Sequence, residues 1–92
     1  MIQRYIASIE RHDTDLARQL RRAGASVALN IAEGSYARGG NRKALYNVAL
    51  GSAKEARACL DVGRALGYLA AIDESVAARL DVICAVLYRL TR

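Results

Sequence analysis

Residues 73–90 read DESVAARLDVICAVLYRL, and in them Val76, Leu80, Ile83, Leu87 and Leu90 recur at steps of four, three, four and three. That is the alternation of a helix with one apolar stripe. Asp73 stands where a helix N-cap is wanted, because a short carboxylate can accept from the free amides of the first turn. The same reading extends backwards. Leu16, Leu20, Ala23, Val27 and Ile31 step in fours and threes behind a second cap, Asp13, with Asp15 adding negative charge to the first turn. Gly24, Ala25, Ala28 and Ala32 keep the flank of this helix small, so that a neighbour can approach closely. The pattern fades at Gly34, and Ala37-Arg38-Gly39-Gly40-Asn41 reads as a glycine-rich basic turn.

A third helix is expected from about residue 42 to residue 66, with Leu45, Val48, Ala49, Ser52, Ala56, Cys59, Leu60, Gly63 and Leu66 on one broad face and Gly67 as its stop. A short first helix over residues 2–10 carries Ile2, Ile6 and Ile9 on one side. Short connections between amphipathic helices imply antiparallel neighbours. The expectation is therefore an all-α fold: a single domain over residues 1–92, an antiparallel up-and-down four-helix bundle with a short first helix. Either a partner subunit completes such a lopsided bundle or the N-terminal helix is abbreviated.

Composition agrees. Proline, Trp and Phe are absent from the 92 residues, and Ala, Leu and Arg dominate, which favours helix. Twelve Arg and two Lys outweigh nine acids to give a net charge of +5, which suits an anionic partner such as nucleic acid without specifying one. No stretch approaches the ~20 apolar residues of a membrane span, and the first residues lack a signal-peptide core. A cytoplasmic location, no membrane contact, and reduced thiols at Cys59 and Cys84 are expected.

Catalytic chemistry finds little to stand on. The one histidine, His12, precedes a helix cap, and it cannot supply the Glu-x-x-His pairs of a di-iron bundle. With two cysteines on different helices it does not make an obvious zinc site. Ser26 and Ser52 have no base partner and are expected to bond back to their helices. Gly-Ser-Tyr-Ala-Arg-Gly-Gly lacks the pattern of a phosphate-binding loop. No catalytic residue, cofactor or metal is expected, and the chain is read as a non-enzyme.

Charge marks the candidate contact residues. On the third helix Lys43, Lys54, Arg57 and Arg64 project within about 80° of one another, with Tyr46 and Leu50 in the same sector and Asp61 among them. Three readings fit: a phosphate-binding face with stacking aromatics, a solvated face with helix ion pairs, or a subunit interface. Arg18, Arg21, Arg22, Arg38 and Arg42 add charge around the second helix and its turn. Leu29 and Val82 lie off the main stripes and lean towards assembly.

The combination Gln19-Leu20-Arg21-Arg22-Ala23, Asn30-Ile31-Ala32-Glu33-Gly34 and Arg38, followed by Ala49-Leu50-Gly51-Ser52 and Leu66-Gly67-Tyr68, resembles the bacterial "four helix bundle protein" family. That family includes the proteins encoded in intervening sequences of the large ribosomal RNA, and it is related to the accessory variability proteins of diversity-generating retroelements. The resemblance covers about residues 16–68. It implies a four-helix protomer assembling with itself into a ring, typically a pentamer, with a basic surface. For the retroelement relatives it also implies contact with a reverse transcriptase and with RNA or DNA. Carried over by position, Asn30, Glu33, Gly34 and Arg38 are the signature residues. A structural role is expected for them: Gly34 easing the helix exit, Glu33 pairing with Arg38 or Arg42, and Asn30 bonding across the bundle. The chain departs from the family in its short first helix, which lacks an aromatic-rich turn, and at Lys54 and Ala56, where larger apolar residues are common. A structural adaptor for a protein partner, without nucleic acid, is the competing expectation.

Overall fold

The computed structural model describes residues 2–92 and contains four helices: α1 (Gln3–Glu10), α2 (Thr14–Tyr36), α3 (Gly39–Ala65) and α4 (Glu74–Thr91). Each packs on the next in chain order, α1 on α2, α2 on α3 and α3 on α4, to give the expected all-α antiparallel bundle with a short first helix. It is elongated, 42 × 23 × 17 Å.

Both sequence-read caps form. Asp13 accepts from the Leu16 amide at 2.9 Å, and Asp73 accepts from the Ser75 amide at 3.0 Å and from its hydroxyl at 2.9 Å. At the end of α3, Gly67 takes φ +80°. The Tyr68 amide then returns to the Gly63 carbonyl at 2.8 Å and the Gly67 amide to that of Arg64 at 3.0 Å, a Schellman stop.

The α2–α3 connection differs from expectation. Only Ala37 and Arg38 lie between the helices, and the glycine-rich stretch belongs to the first turn of α3. Gly39, at φ +57°, turns the chain through the left-handed region directly into the helix, so no longer loop is needed.

The core gathers Tyr5 and Ile9 of α1, Leu16, Ala17, Leu20 and Ala23 of α2, Ala56, Cys59 and Leu60 of α3, Leu69 of the following loop, and Val76 and Leu80 of α4. Ile9 seats over Gly63, where an added Cβ would come within 3.1 Å of its Cδ1. The buried line of α3 is narrower than the expected face. It runs through Ala49, Ala53, Ala56, Leu60 and Gly63, with Cys59 beside it. Val48, one position off this line, and Leu66, past the helix end, are exposed.

Tyr5 is buried, which the isoleucine spacing of α1 did not reveal. Its hydroxyl accepts from the Asp73 amide at 2.8 Å, and the neighbouring Arg4 pairs with the Asp73 carboxylate at 3.1 Å. These bonds tie α1 to the start of α4. His12 stacks on Tyr68 at the same end, with ring centroids 5.1 Å apart.

Candidate interaction surface

The signature residues lie along the α2–α3 contact. Asn30 donates to the Ser26 carbonyl at 2.8 Å and to its hydroxyl at 3.1 Å, while Ser52 of α3 donates to the same hydroxyl at 2.7 Å. Asn30 thus reaches across the bundle through Ser26. Ser52 bonds to α2 rather than back to its own helix.

Gly34 does not mark the helix exit, because α2 continues to Tyr36. It is buried under the Tyr46 ring, and a Cβ there would stand 2.7 Å from Tyr46 Cδ1 and closer still to Cε1. Glycine is required by the aromatic ring of the facing helix. Among the described residues no ion pair joins Glu33 to Arg38 or Arg42. Arg42 instead turns its Nε to the Gly34 carbonyl at 3.1 Å and a terminal nitrogen to that of Ser35 at 3.4 Å. A guanidinium at the last carbonyls of α2 caps the helix and offsets its negative end.

The candidate cations do not form one patch. Lys43 and Arg64 share a helical direction, but 21 residues separate them, about 32 Å along the axis. Arg57 pairs with Asp61 at 3.5 Å, and Arg21 pairs with Glu10 of α1 at 3.1 Å. One Arg57 nitrogen, Nη1, is buried without a hydrogen-bond partner. Lys54 and Arg57 also lie close enough to Cys84 to pull its thiol down, against burial and Asp81, which together push it up. Tyr46 and Leu50 are half-buried, Tyr46 against Gly34, so Tyr46 is not free to stack on a ligand. Arg22, Arg38, Lys43, Lys54 and Arg64 remain exposed.

Beside the charges lies an apolar trench. It begins at Ile2 and Ile6 of α1 and runs between Val27 of α2 and Ile83 of α4, over α3. It continues past Ile31, Tyr46, Val86 and Leu87 to Leu90. With eight residues α1 is about 12 Å long, against about 35 Å for α2. The rest of the fourth helix position stays open, which is why Ile83 is only half-buried and Leu90 is 53% exposed.

The small residues Ala25, Ala28 and Ala32 point outward along the rim of this trench, with Leu29 beyond them. On the opposite rim Val82 is 61% exposed. Among the described residues no three His, Cys, Asp or Glu side chains come together as a metal site requires, and no helix is long and apolar enough to cross a membrane.

A sequence model described as 23S rRNA-intervening sequence protein matches residues 2–89, nearly the whole chain. The chain belongs to that family. No curated protein and no solved structure matches it. Membership extends over α1 and α4 as well as the signature segment of α2. The trench and its rims are therefore part of the family domain, and Asn30 and Gly34 acquire physical roles in its α2–α3 contact.

Proposed function

We propose that this member of the intervening-sequence protein family is a non-enzymatic, homo-oligomeric binding or scaffold protein, a ring of bundles whose basic surface meets nucleic acid or a nucleic-acid enzyme. The observation that carries the assembly is the open trench. A fold this small has little stability in reserve, and leaving Ile31, Ile83, Val86 and Leu90 at the surface forgoes burial that a second copy can supply. The rim of Ala25, Ala28 and Ala32 suits a helix of that copy, since small side chains let two backbones approach closely. Five copies is the number implied by the family resemblance. The net charge of +5 supports the nucleic-acid part.

Size-exclusion chromatography with light scattering tests the assembly. A particle near five times the 10.0 kDa chain mass is expected. The double variant Val82→Asp/Val86→Asp, altered at the exposed rim, is expected to run as a folded monomer. A wild-type monomer at micromolar concentration, or an undiminished mass in the variant, overturns the ring. Recovery of the chain only with a different protein in the trench, insensitive to nuclease, would identify an adaptor instead.

A further inference from the structure

The two ends of the bundle are electrically unlike. One end holds the α1–α2 turn and the α3–α4 loop, joined by the stack of His12 on Tyr68 and by the pair of Arg4 with Asp73. Most of the acidic residues gather there or close by: Glu10, Asp13, Asp15, Asp73 and Glu74. Arg4, Arg18 and Arg21 answer them in ion pairs, so the end is close to balanced.

The opposite end is built from the end of α2, the start of α3 and the end of α4. Ile31, Tyr46 and Leu90 line one groove, so α4 ends in the half of the bundle that holds the α2–α3 turn. Arg38, Arg42, Lys43 and Arg89 collect there, with Glu33 as the only acid close by in the chain. None of these residues enters an ion pair with another described residue. Arg42 is occupied with the α2 carbonyls, whereas Arg38, Lys43 and Arg89 stand exposed with no carboxylate to neutralise them.

Aromatic rings lie open among these charges. Tyr36, the last residue of α2, is 90% exposed, the largest exposure of any hydrophobic side chain described. Tyr88 is 54% exposed, and the Arg92 guanidinium lies over its ring at 5.9 Å from the centroid. Unpaired cations bind phosphates by releasing counterions, and an open tyrosine offers an unpaired base a face to stack on.

We propose that this basic end, formed by Tyr36, Arg38, Lys43, Tyr88 and Arg89, is a binding site for single-stranded nucleic acid. It rests on the nucleic-acid part of the function proposed above but not on the ring. Of the charged stripe along α3 it keeps only Lys43. A single strand is favoured over a duplex because the open tyrosines can engage only a base released from pairing. In a ring of parallel staves, the copies of this end would crowd onto one rim.

Fluorescence anisotropy with a labelled 20-nucleotide RNA, its DNA counterpart and an RNA duplex, over a series of salt concentrations, tests the assignment. The triple variant Arg38→Gln/Lys43→Gln/Arg89→Gln removes three charges at the basic end. The control Arg18→Gln/Arg22→Gln/Arg64→Gln removes three elsewhere. Since each single-strand phosphate contact contributes about 0.7 to the slope of log K against log salt, the first variant is expected to lose about two units of slope. The control should lose less than half a unit. Tyr36→Ala is expected to weaken single-strand binding about ten-fold and to leave duplex binding unchanged.

Equal losses in the two triple variants would overturn the location while leaving nucleic-acid binding in place. No wild-type binding at low salt would overturn the site and the nucleic-acid function together. Duplex bound as tightly as single strand would overturn the stacking role. Circular dichroism and light scattering on each variant show that fold and oligomer are unchanged, so a loss of binding is read as a loss of contact.

Discussion

Gly34 offers the sharpest test of how the α2–α3 contact is made. Replacing it by alanine in an ordinary helix interior would add about 0.5–1 kcal/mol of stability, because alanine loses less backbone entropy. Here the new Cβ meets the Tyr46 ring at 2.7 Å from Cδ1, well inside van der Waals contact. The contact runs along one edge of the ring, from Cδ1 through Cε1 to Cζ, so relief requires the whole ring to move. Either α2 and α3 separate locally or the ring leaves the groove it shares with Ile31, Leu87 and Leu90. Overpacking of this kind costs about 1–3 kcal/mol. With two ring atoms inside 3.0 Å the cost falls in the upper part of that range, about 2–3 kcal/mol, and after the propensity gain a net loss of about 1–2 kcal/mol remains. For a chain of this size that lowers Tm by about 4–15 °C. Thermal and urea melts followed by circular dichroism at 222 nm, at one fixed protein concentration, measure it. In the background of Tyr46→Ala, where the ring is gone, Gly34→Ala should become neutral or stabilising. Equal effects of Gly34→Ala with and without the ring would refute the steric account, as would a stabilised single variant.

Two further outcomes follow from ionisation. The Asp73 carboxyl is held below its ordinary value of 3.8 by the Ser75 amide and hydroxyl and by the Arg4 guanidinium. A carboxylate depressed in the folded state contributes stability that is present above the ordinary value and is lost as pH falls through the folded one. Urea midpoints should therefore fall as pH drops below about 4, and Asp73→Asn should shallow that fall; an unchanged acid limb would remove Asp73 from the account. Burial, with Glu55 adding, pushes the Cys59 thiol above 9.0, and burial and Asp81 do the same to Cys84. At pH 8 both are then mostly protonated, and iodoacetamide should alkylate native protein more slowly than urea-unfolded protein, with Cys59 slower than the less buried Cys84. Alkylation of Cys59 at the unfolded rate would show that α3 is not packed as described.

What could be read from the sequence was what depends on near neighbours in the chain. The caps at Asp13 and Asp73, the stop at Gly67 and the stripe from Val76 to Leu87 each involve residues within a few positions of one another. The burial of Tyr5 depends on an amide 68 residues away, and nothing local announces it. Gly34 and Ser26 gain their meaning from Tyr46 and Ser52 on the facing helix, so spacing alone misassigned one and left the other bonded to its own helix. Gly39 was mistaken for part of a loop because its turn residue and its helix start are the same residue.

The charges of α3 show what helical angle leaves out. Helical angle brought Lys43 and Arg64 together, while axial distance holds them at opposite ends of α3. The basic end draws on three separate segments, and only the antiparallel return of α4 brings Arg89 into the half of the bundle that holds Arg38. Tyr36 and Tyr88 carried a usable signal, since both fall off the apolar stripes of their helices.

The bonds between α1 and Asp73 also set an order of events during synthesis. At about 5–20 residues per second, the ribosome needs roughly 3–14 s to go from Tyr5 to Asp73. Through that interval the isoleucine face of α1 can pack on α2 but cannot be locked to a partner not yet made. The α2–α3 hairpin, whose contacts are closer in sequence, can close first. The nascent chain therefore holds α1 only through α2 until Asp73 is made, and any helper that shields a growing chain would find α1 its loosest element.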